Sequence, residues 1–263
     1  LIHLPTRQGR TNYGRTRISR PAGAKLGATS KTRRRFRPFD RHLYARFPRD
    51  YLTAWGLLPV LLQQHALQEK NLKDWDFLFL GYSTRSIDSY LDIARLIATE
   101  WARAASGKPP FTGAYSKFSL FGHSLGTLGI RQLLCAGCLH PQGMLDHLHS
   151  VVLFGTPLNG SPLSGIFAKL FGGPVAEALR EGNPQLRMLR NWNESIHCHR
   201  PWRGVRVVLG IDDRIVGSKL ADLIEFTGDT KPTAILNFNH ATLVKPKNWS
   251  NSTIANEICG ALG

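Results

Sequence analysis

The segment Gly122-His123-Ser124-Leu125-Gly126 constrains the fold of this 263-residue chain more than any other part of it. It follows a short apolar run at 118–121 and opens a stretch at 125–139 with a helical pattern. A serine between two glycines at a strand-to-helix turn is typical of a nucleophile elbow. The segment therefore predicts a buried strand, a sharp turn and a helix in direct succession.

The two glycines have a steric explanation at such a turn. Side chains two residues before or after the serine would collide with the neighbouring strand and helix, and Gly122 and Gly126 remove them. We then expect the Ser124 hydroxyl to stand free at the sheet edge, with His123 packed beside it or facing a substrate. The backbone N–H of Leu125, at a helix N-terminus, is expected to point towards developing negative charge.

Strand-like and helix-like segments alternate along most of the chain. Continuous apolar runs, typical of strands buried on both faces, occur at 76–81, 118–121, 150–155, 205–209 and 234–238. Helices are predicted at 51–68, 86–104, 125–139 and 219–225. This alternation favours an α/β fold with a mostly parallel sheet and helices on both faces. The apolar stretch at 158–204 interrupts the rhythm and is interpreted as a small cap over the site, with burial in the core as the alternative.

Positive charge is concentrated near the start of the sequence. The formal net charge is +16, and residues 1–50 contain 14 of the 34 Lys and Arg but only 2 of the 18 Asp and Glu. The remainder has 34 − 14 = 20 basic and 18 − 2 = 16 acidic residues, a net charge of +4. We therefore divide the chain into a disordered basic arm at 1–46 and one domain at 47–263.

Three interpretations of the basic arm stay open. It is a tail without function, an arm that contacts anionic membrane lipid or nucleic acid through its arginines, or an organelle-targeting peptide. The rest of the sequence lacks elements that recognise nucleic acid, so no specific nucleic-acid partner is predicted. No apolar run approaches the roughly 20 residues that cross a bilayer, and no secretory signal is evident. A cytoplasmic location is expected, with a membrane-peripheral or organelle-targeted one if the arm acts.

Two cysteines have the spacing of zinc ligands. Cys135 and Cys138 form a C-x-x-C pair, and His197, Cys198 and His199 lie in a later loop. Because the sequence has no second C-x-x-C pair, we interpret Cys135 as a core residue and Cys138 as part of a frayed helix end. No metal and no organic cofactor is predicted.

A serine hydroxyl needs a base to become a nucleophile, and the base needs an orienting acid. In a parallel sheet these groups are expected in loops at the C-terminal ends of later strands. Asp212 and Asp213 directly follow the strand predicted at 205–209, and His240 follows the one at 234–238. Their order along the chain, Ser, Asp, His, is the one expected for an α/β-hydrolase.

The chain resembles α/β-hydrolases of the lipase/esterase type, in the branch that contains GPI inositol deacylase-like and serine-active-site-containing lipase-like proteins. The resemblance extends from about Phe47 to the C-terminus. Four motifs carry it, namely Gly122 to Gly126, Gly155-Thr156-Pro157 with Gly160-Ser161, Asp213-Arg214-Ile215-Val216, and His240-Ala241-Thr242-Leu243-Val244-Lys245-Pro246. Each motif is ordinary alone, and together they are specific.

The resemblance implies a serine hydrolase that cleaves carboxylic esters through an acyl-enzyme, with lipid or acyl-chain esters as the first candidate substrates. Ser124 is then the nucleophile, His240 the base and the backbone N–H of Leu125 one oxyanion donor. Asp213 is the implied acid because it precedes one residue and an apolar pair, as in the family pattern, and Asp212 is the alternative.

The sequence departs from the family near its start. The family has an apolar strand ending in His-Gly there, and the loop after that strand supplies the second oxyanion donor. This sequence begins Leu1-Ile2-His3-Leu4-Pro5, in which Ile2-His3-Leu4 is interpretable as a remnant of that strand, but the glycine is missing and we expect the sheet to lack its first strands. Either the start of the sequence is truncated or replaced, or the second oxyanion donor comes from elsewhere. The alternative function is therefore a non-catalytic binding or scaffold protein that has lost the oxyanion loop.

Overall fold

The computed structural model describes residues 2–5, 43–46, 54–66, 68–82, 87–111, 113–139, 143–157, 160, 173–197, 205–214, 233–250 and 252–263. Most of the basic arm and the helix predicted at 219–225 lie outside these ranges. Within the described part of the chain, no helix combines the length and the apolar character needed to cross a bilayer.

Seven strands of the described residues form one sheet. They are β1 Ile2–Pro5, β2 Leu43–Arg46, β3 Trp75–Leu80, β4 Phe118–His123, β5 Leu148–Phe154, β6 Val205–Gly210 and β7 Thr233–Ile235. Their spatial order is β2-β3-β1-β4-β5-β6-β7. β1 is antiparallel to both of its neighbours, β3 and β4, whereas every other adjacent pair is parallel. The prediction of a mostly parallel sheet is confirmed.

The described helices are α1 Leu58–His65, α2 Tyr90–Ala105, α3 Leu125–Leu139, α4 Gly173–Ala178, α5 Pro184–His197 and α6 Thr253–Leu262. α2 begins later than residue 86, the start that the apolar pattern predicts, because a capping box sets its first turn. The Ser89 hydroxyl accepts a hydrogen bond from the Leu91 N–H, and the Asp92 carboxylate accepts one from the Ser89 N–H. Asp92 thus caps α2.

Alternate side chains of the strands enter two separate cores, as a pleated strand requires. On β3, Leu78 and Leu80 pack in one core, and Phe77 and Phe79 pack in the other. Buried residues of α2, α3 and α5 line the first core, and buried residues of α1 and α6 line the second. Helices therefore cover both faces of the sheet, as the sequence predicts.

The N-terminal strands correct one expectation. The sequence predicts a sheet that lacks its first strands, yet β1 and β2 pair within it, β1 between β3 and β4 and β2 beside β3. These two strands lie within the predicted basic arm at 1–46, and the domain boundary at residue 47 stays a prediction. The antiparallel direction of β1 depends on its pairing with β3 and β4, which the sequence of residues 2–5 does not encode.

Two further elements differ from expectation. β7 ends at Ile235 and not at residue 238, because the backbone at Asn237 turns into the left-handed region with φ 61°. In the stretch interpreted as a cap, α4 and α5 bury Val175, Leu186 and Leu189 in the same core as α3. These three residues are core residues, as the alternative interpretation has it, and a cap at 158–204 stays a prediction. Residues 158–159, 161–172 and 198–204 lie outside the described residues.

Candidate active site

The turn between β4 and α3 consists of a single residue, Ser124. Its φ is 53°, in the left-handed region that costs an L-residue about 1–2 kcal/mol. Two backbone hydrogen bonds hold the turn: the Ser124 N–H donates to the Phe154 carbonyl at 3.0 Å, and the Thr127 N–H donates to the Ser124 carbonyl at 2.9 Å. The observed order is the predicted one of strand, strained turn and helix.

The space that a side chain would have differs between the glycines on either side of this turn. A Cβ at Gly122 would lie 2.8 Å from Ile130 Cδ1 and 3.1 Å from the backbone of Thr127, inside the contact limit. A Cβ at Gly126 would meet only the Tyr82 hydroxyl, at 3.4 Å. The expected crowding is therefore present before the serine and slight after it.

Three predicted residues meet in one row of hydrogen bonds. His240 Nε2 lies 2.7 Å from Ser124 Oγ, and His240 Nδ1 lies 2.8 Å from Asp213 Oδ2. All three residues are buried, with exposures of 6%, 4% and 6% for Ser124, Asp213 and His240. Because a carboxylate only accepts, Nδ1 carries the ring proton, and Nε2 is free to accept the proton of the serine hydroxyl.

The structure distinguishes between the two candidate acids. Both follow β6, but Asp213 is buried against His240 while Asp212 is exposed to solvent. The Asp213 N–H donates to the Gly210 carbonyl at 3.1 Å, which closes the turn that directs this carboxylate inward. Asp213, and not Asp212, therefore faces the imidazole.

The loop that carries His240 is shaped by Asn239. The side-chain oxygen Oδ1 of Asn239 accepts from the N–H groups of Ala241 and Thr242, at 3.0 and 3.1 Å. Such side-chain acceptance by Asn is a standard way to fix a turn without regular secondary structure. Leu243 is fully buried in the second core and packs the loop against that core. The imidazole is thus held on a braced loop.

Gly155 directly follows β5 and lies against the hydrogen bond between His240 and Asp213. Its φ is 56°, and a Cβ there would lie 3.3 Å from His240 Nδ1 and 3.4 Å from Asp213 Oδ2. The motif pattern includes this glycine but does not place it against the His–Asp pair. The signal available in the sequence was a glycine directly after a continuous apolar strand.

His123 contacts both the backbone and the ring of His240. Its Nε2–H donates to the His240 backbone carbonyl at 2.9 Å, and the two rings lie 5.0 Å apart. Burial, and next the neighbouring His240, lowers the pKa of His123 from 6.5 to about 3. Between these two pH values the unfolded chain binds a proton that the native state does not bind, so stability is lost as the pH falls through this window. Of the two predicted roles for His123, the structure favours packing.

These placements decide the fold. The serine, the acid and the histidine follow β4, β6 and β7, at the C-terminal edge of parallel strands and in the order Ser, Asp, His. The chain has the α/β-hydrolase fold. In an α/β-hydrolase with this row of hydrogen bonds, the imidazole is placed to take a proton from the serine hydroxyl as the oxygen attacks an electrophile.

Backbone N–H groups at the start of α3 lie directly after this turn. Leu125 begins α3, and the first N–H groups of a helix have no acceptor within the helix. The end of β1 does not reach this corner: Ile2 pairs with Leu120 and His3 with Ser119, so the antiparallel β1 leads away from the elbow. The family's usual source of a second donor is therefore not at this position.

The described residues contain no group of three or more His, Cys, Asp or Glu side chains that could hold a metal ion. Cys135 is buried in the first core, in agreement with its interpretation as a core residue. The other four residues of the zinc hypothesis, Cys138, His197, Cys198 and His199, have side chains outside the described part of the chain.

No protein-family model and no curated protein matches the chain. Among solved structures, phospholipase PlaB from Legionella pneumophila is similar at 18% identity and a TM-score of 0.47, over 64% of this chain and 38% of PlaB. A monoacylglycerol lipase from Paleococcus ferrophilus is similar at 15% identity and a TM-score of 0.47, over 84% of this chain and 92% of the lipase. Lipase BlEst2 from Bacillus licheniformis is similar at 14% identity and a TM-score of 0.45, over 77% and 85% of the two chains. A likeness at this level supports no functional conclusion, and the branch predicted from the motifs stays a prediction.

Proposed function

We propose that this chain is a serine hydrolase that cleaves carboxylic esters through an acyl-enzyme. The row of hydrogen bonds from Ser124 through His240 to Asp213 carries the proposal. Left-handed backbone at a non-glycine residue and buried titratable groups are both unfavourable for folding, and such features cluster at active sites. Their coincidence at one turn is difficult to explain by stability alone.

In the acylation half, Ser124 Oγ attacks the ester carbonyl carbon while His240 Nε2 takes the hydroxyl proton. The carbonyl electrons move to its oxygen, which becomes an oxyanion near the Leu125 N–H at the positive end of α3. Asp213 keeps the Nδ1–H tautomer and stabilises the imidazolium. When the intermediate collapses, the ester C–O bond breaks and the leaving alkoxide takes the proton from His240, which releases an alcohol.

In the deacylation half, water replaces the serine as the nucleophile. His240 accepts a proton from the water as its oxygen attacks the acyl carbonyl, and then returns a proton to Ser124 Oγ as the acyl–serine bond breaks. The products are a carboxylic acid and the regenerated hydroxyl. The side chains and backbone groups of the site therefore account for every proton transfer in the cycle.

The substrate class is a finer part of the proposal. Lipid or acyl-chain esters are proposed because the sequence between 162 and 202 is rich in large apolar residues, among them Leu163, Phe167 and Phe171. These three residues lie outside the described part of the chain. A cytoplasmic location, with weak contact to anionic membranes through the basic arm, stays a prediction of the sequence.

The experiment is labelling of the intact protein with a fluorophosphonate probe, followed by hydrolysis of a short-chain p-nitrophenyl ester. We expect Ser124 to be labelled, and we expect Ser124→Ala to abolish both labelling and turnover because the attacking oxygen is removed. Circular dichroism of both proteins provides the folding control. Folded wild-type protein that neither labels nor hydrolyses the ester would falsify the proposal.

A non-catalytic binding or scaffold role is the second candidate. The observation that favours it is the direction of β1, which removes the family's source of a second oxyanion donor. A protein of this kind would bind an acyl-chain ligand equally well in the wild type and in Ser124→Ala, and would show no serine-dependent turnover. The ester assay separates the two candidates.

A further inference from the structure

A tyrosine hydroxyl without an assigned role lies beside the elbow. Tyr82 follows the last residue of β3, Leu80, by two positions. Its hydroxyl is the one described group outside α3 within 4 Å of the point where a Gly126 Cβ would be, at 3.4 Å. Gly126 is the residue after Leu125, so the tyrosine hydroxyl and the Leu125 N–H border the same first turn of α3.

The topology explains why a group from β3 reaches this turn. β1 lies between β3 and β4 and is antiparallel to both, so β3 and β4 run in the same direction. The C-terminal end of β3 therefore lies at the same sheet edge as Ser124, while the end of β1 lies at the opposite edge. The segment after β3 therefore lies at the sheet edge where a donor to the elbow is needed.

The state of the hydroxyl suits a hydrogen-bond donor. The ring of Tyr82 packs against the first core. Burial raises the pKa of Tyr82 above its usual value of 10, so the group stays neutral and keeps its proton.

We propose that the Tyr82 hydroxyl is the second oxyanion donor, acting together with the backbone N–H of Leu125. This proposal rests on the proposed function. As the bond from Ser124 Oγ to the carbonyl carbon forms, the carbonyl electrons move to oxygen, and the Tyr82 O–H donates a hydrogen bond to that oxygen without giving up its proton. A donor binds the anionic oxygen more strongly than the neutral carbonyl, so its contribution falls on kcat and much less on KM.

The test is Tyr82→Phe, which removes only the hydroxyl and keeps the packed ring. Loss of one oxyanion donor lowers kcat by about 10²-fold or more, and we expect that decrease here with little change in KM or in the midpoint of thermal unfolding. A trifluoromethyl ketone, whose serine adduct carries an ionised oxygen, should lose affinity by a similar factor. An unreactive ether analogue of the substrate should bind as before.

Tyr115→Phe is the matched control. It also removes one tyrosine hydroxyl, which donates to Asp76 Oδ2 at 2.6 Å near the start of β3, at the opposite end of that strand from Tyr82. We expect Tyr115→Phe to lower stability and to leave kcat unchanged.

The outcomes separate the two proposals. Wild-type protein without Ser124-dependent turnover refutes the hydrolase and the oxyanion role of Tyr82 together. Wild-type turnover with unchanged kcat and ketone affinity in Tyr82→Phe refutes the role of Tyr82 alone. A kcat decrease matched by weaker binding of the ether analogue and by lost thermal stability shows a structural role, and also overturns the proposal.

Discussion

Gly155→Ala tests whether the geometry of the His–Asp pair depends on the absence of a side chain at the end of β5. The substitution has two separable effects. Gly155 has φ 56°, so any alanine there carries the left-handed penalty of about 1–2 kcal/mol in the free energy of unfolding. The new Cβ would also lie 3.3 Å from His240 Nδ1 and 3.3 Å from Leu243 Cδ2, closer than ordinary van der Waals contact.

The second effect can be given a magnitude. Relief of this contact requires the imidazole or the Asp213 carboxylate to move by a few tenths of an ångström, which stretches the 2.8 Å bond between them. A hydrogen bond to a charged group contributes about 1.5–3 kcal/mol, so losing half of it weakens orientation of the base by about 1 kcal/mol. That corresponds to a decrease of about 5- to 10-fold in kcat/KM.

Gly182→Ala is the matched control for backbone strain. Gly182 has φ 76°, and no described atom lies within 4 Å of the position that an alanine methyl group would take there. We expect both variants to lose stability by urea denaturation, Gly155→Ala by about 1 kcal/mol more because of its contact with His240, and a decrease in kcat/KM for p-nitrophenyl ester hydrolysis in Gly155→Ala alone. Equal kcat/KM in the two variants would refute the reasoning.

Two other substitutions test individual side chains of the site. Asp213→Asn should lower kcat by about 10⁴-fold because the amide no longer fixes the imidazole tautomer, whereas Asp212→Asn should keep wild-type kcat; the reverse result would exchange their roles. His123→Gln keeps an N–H donor but cannot titrate, so the decrease in unfolding free energy between pH 7 and pH 5 should shrink by about 2 kcal/mol relative to wild type. Urea denaturation at pH 7 and pH 5 measures the unfolding free energy. If its decrease between the two pH values is the same in the variant as in the wild type, His123 is not the group that causes the decrease.

The parts of the site that the sequence predicted follow from local rules. Apolar runs marked β3 to β6, and residues just after parallel strands meet at one edge, so Ser124, Asp213 and His240 were predictable from position and order. The preference for Asp213 over Asp212 came from a family pattern. The structure supports that preference with a physical reason, since only Asp213 is buried against the imidazole.

The parts that were missed depend on contacts between distant segments. The direction of β1 is decided by its pairing with β3 and β4, which no local pattern encodes. The donation from His123 to the His240 carbonyl joins residues 117 positions apart. The start of α2 is different, because the capping-box spacing of Ser89 and Asp92 is a local pattern that is present in the sequence itself.

The central position of β1 has a consequence for how the molecule acquires its structure. β1 is synthesised before both of its partners, and its pairing of His3 with Ser119 spans 119 − 3 = 116 positions. Until it inserts, the half of the sheet containing β3 and the half containing β4 each present an unpaired edge, the kind of surface that recruits other chains. Closing so long a loop late makes folding slow and exposes the intermediate to aggregation, so a chaperone that shields strand edges is expected to raise the folded yield.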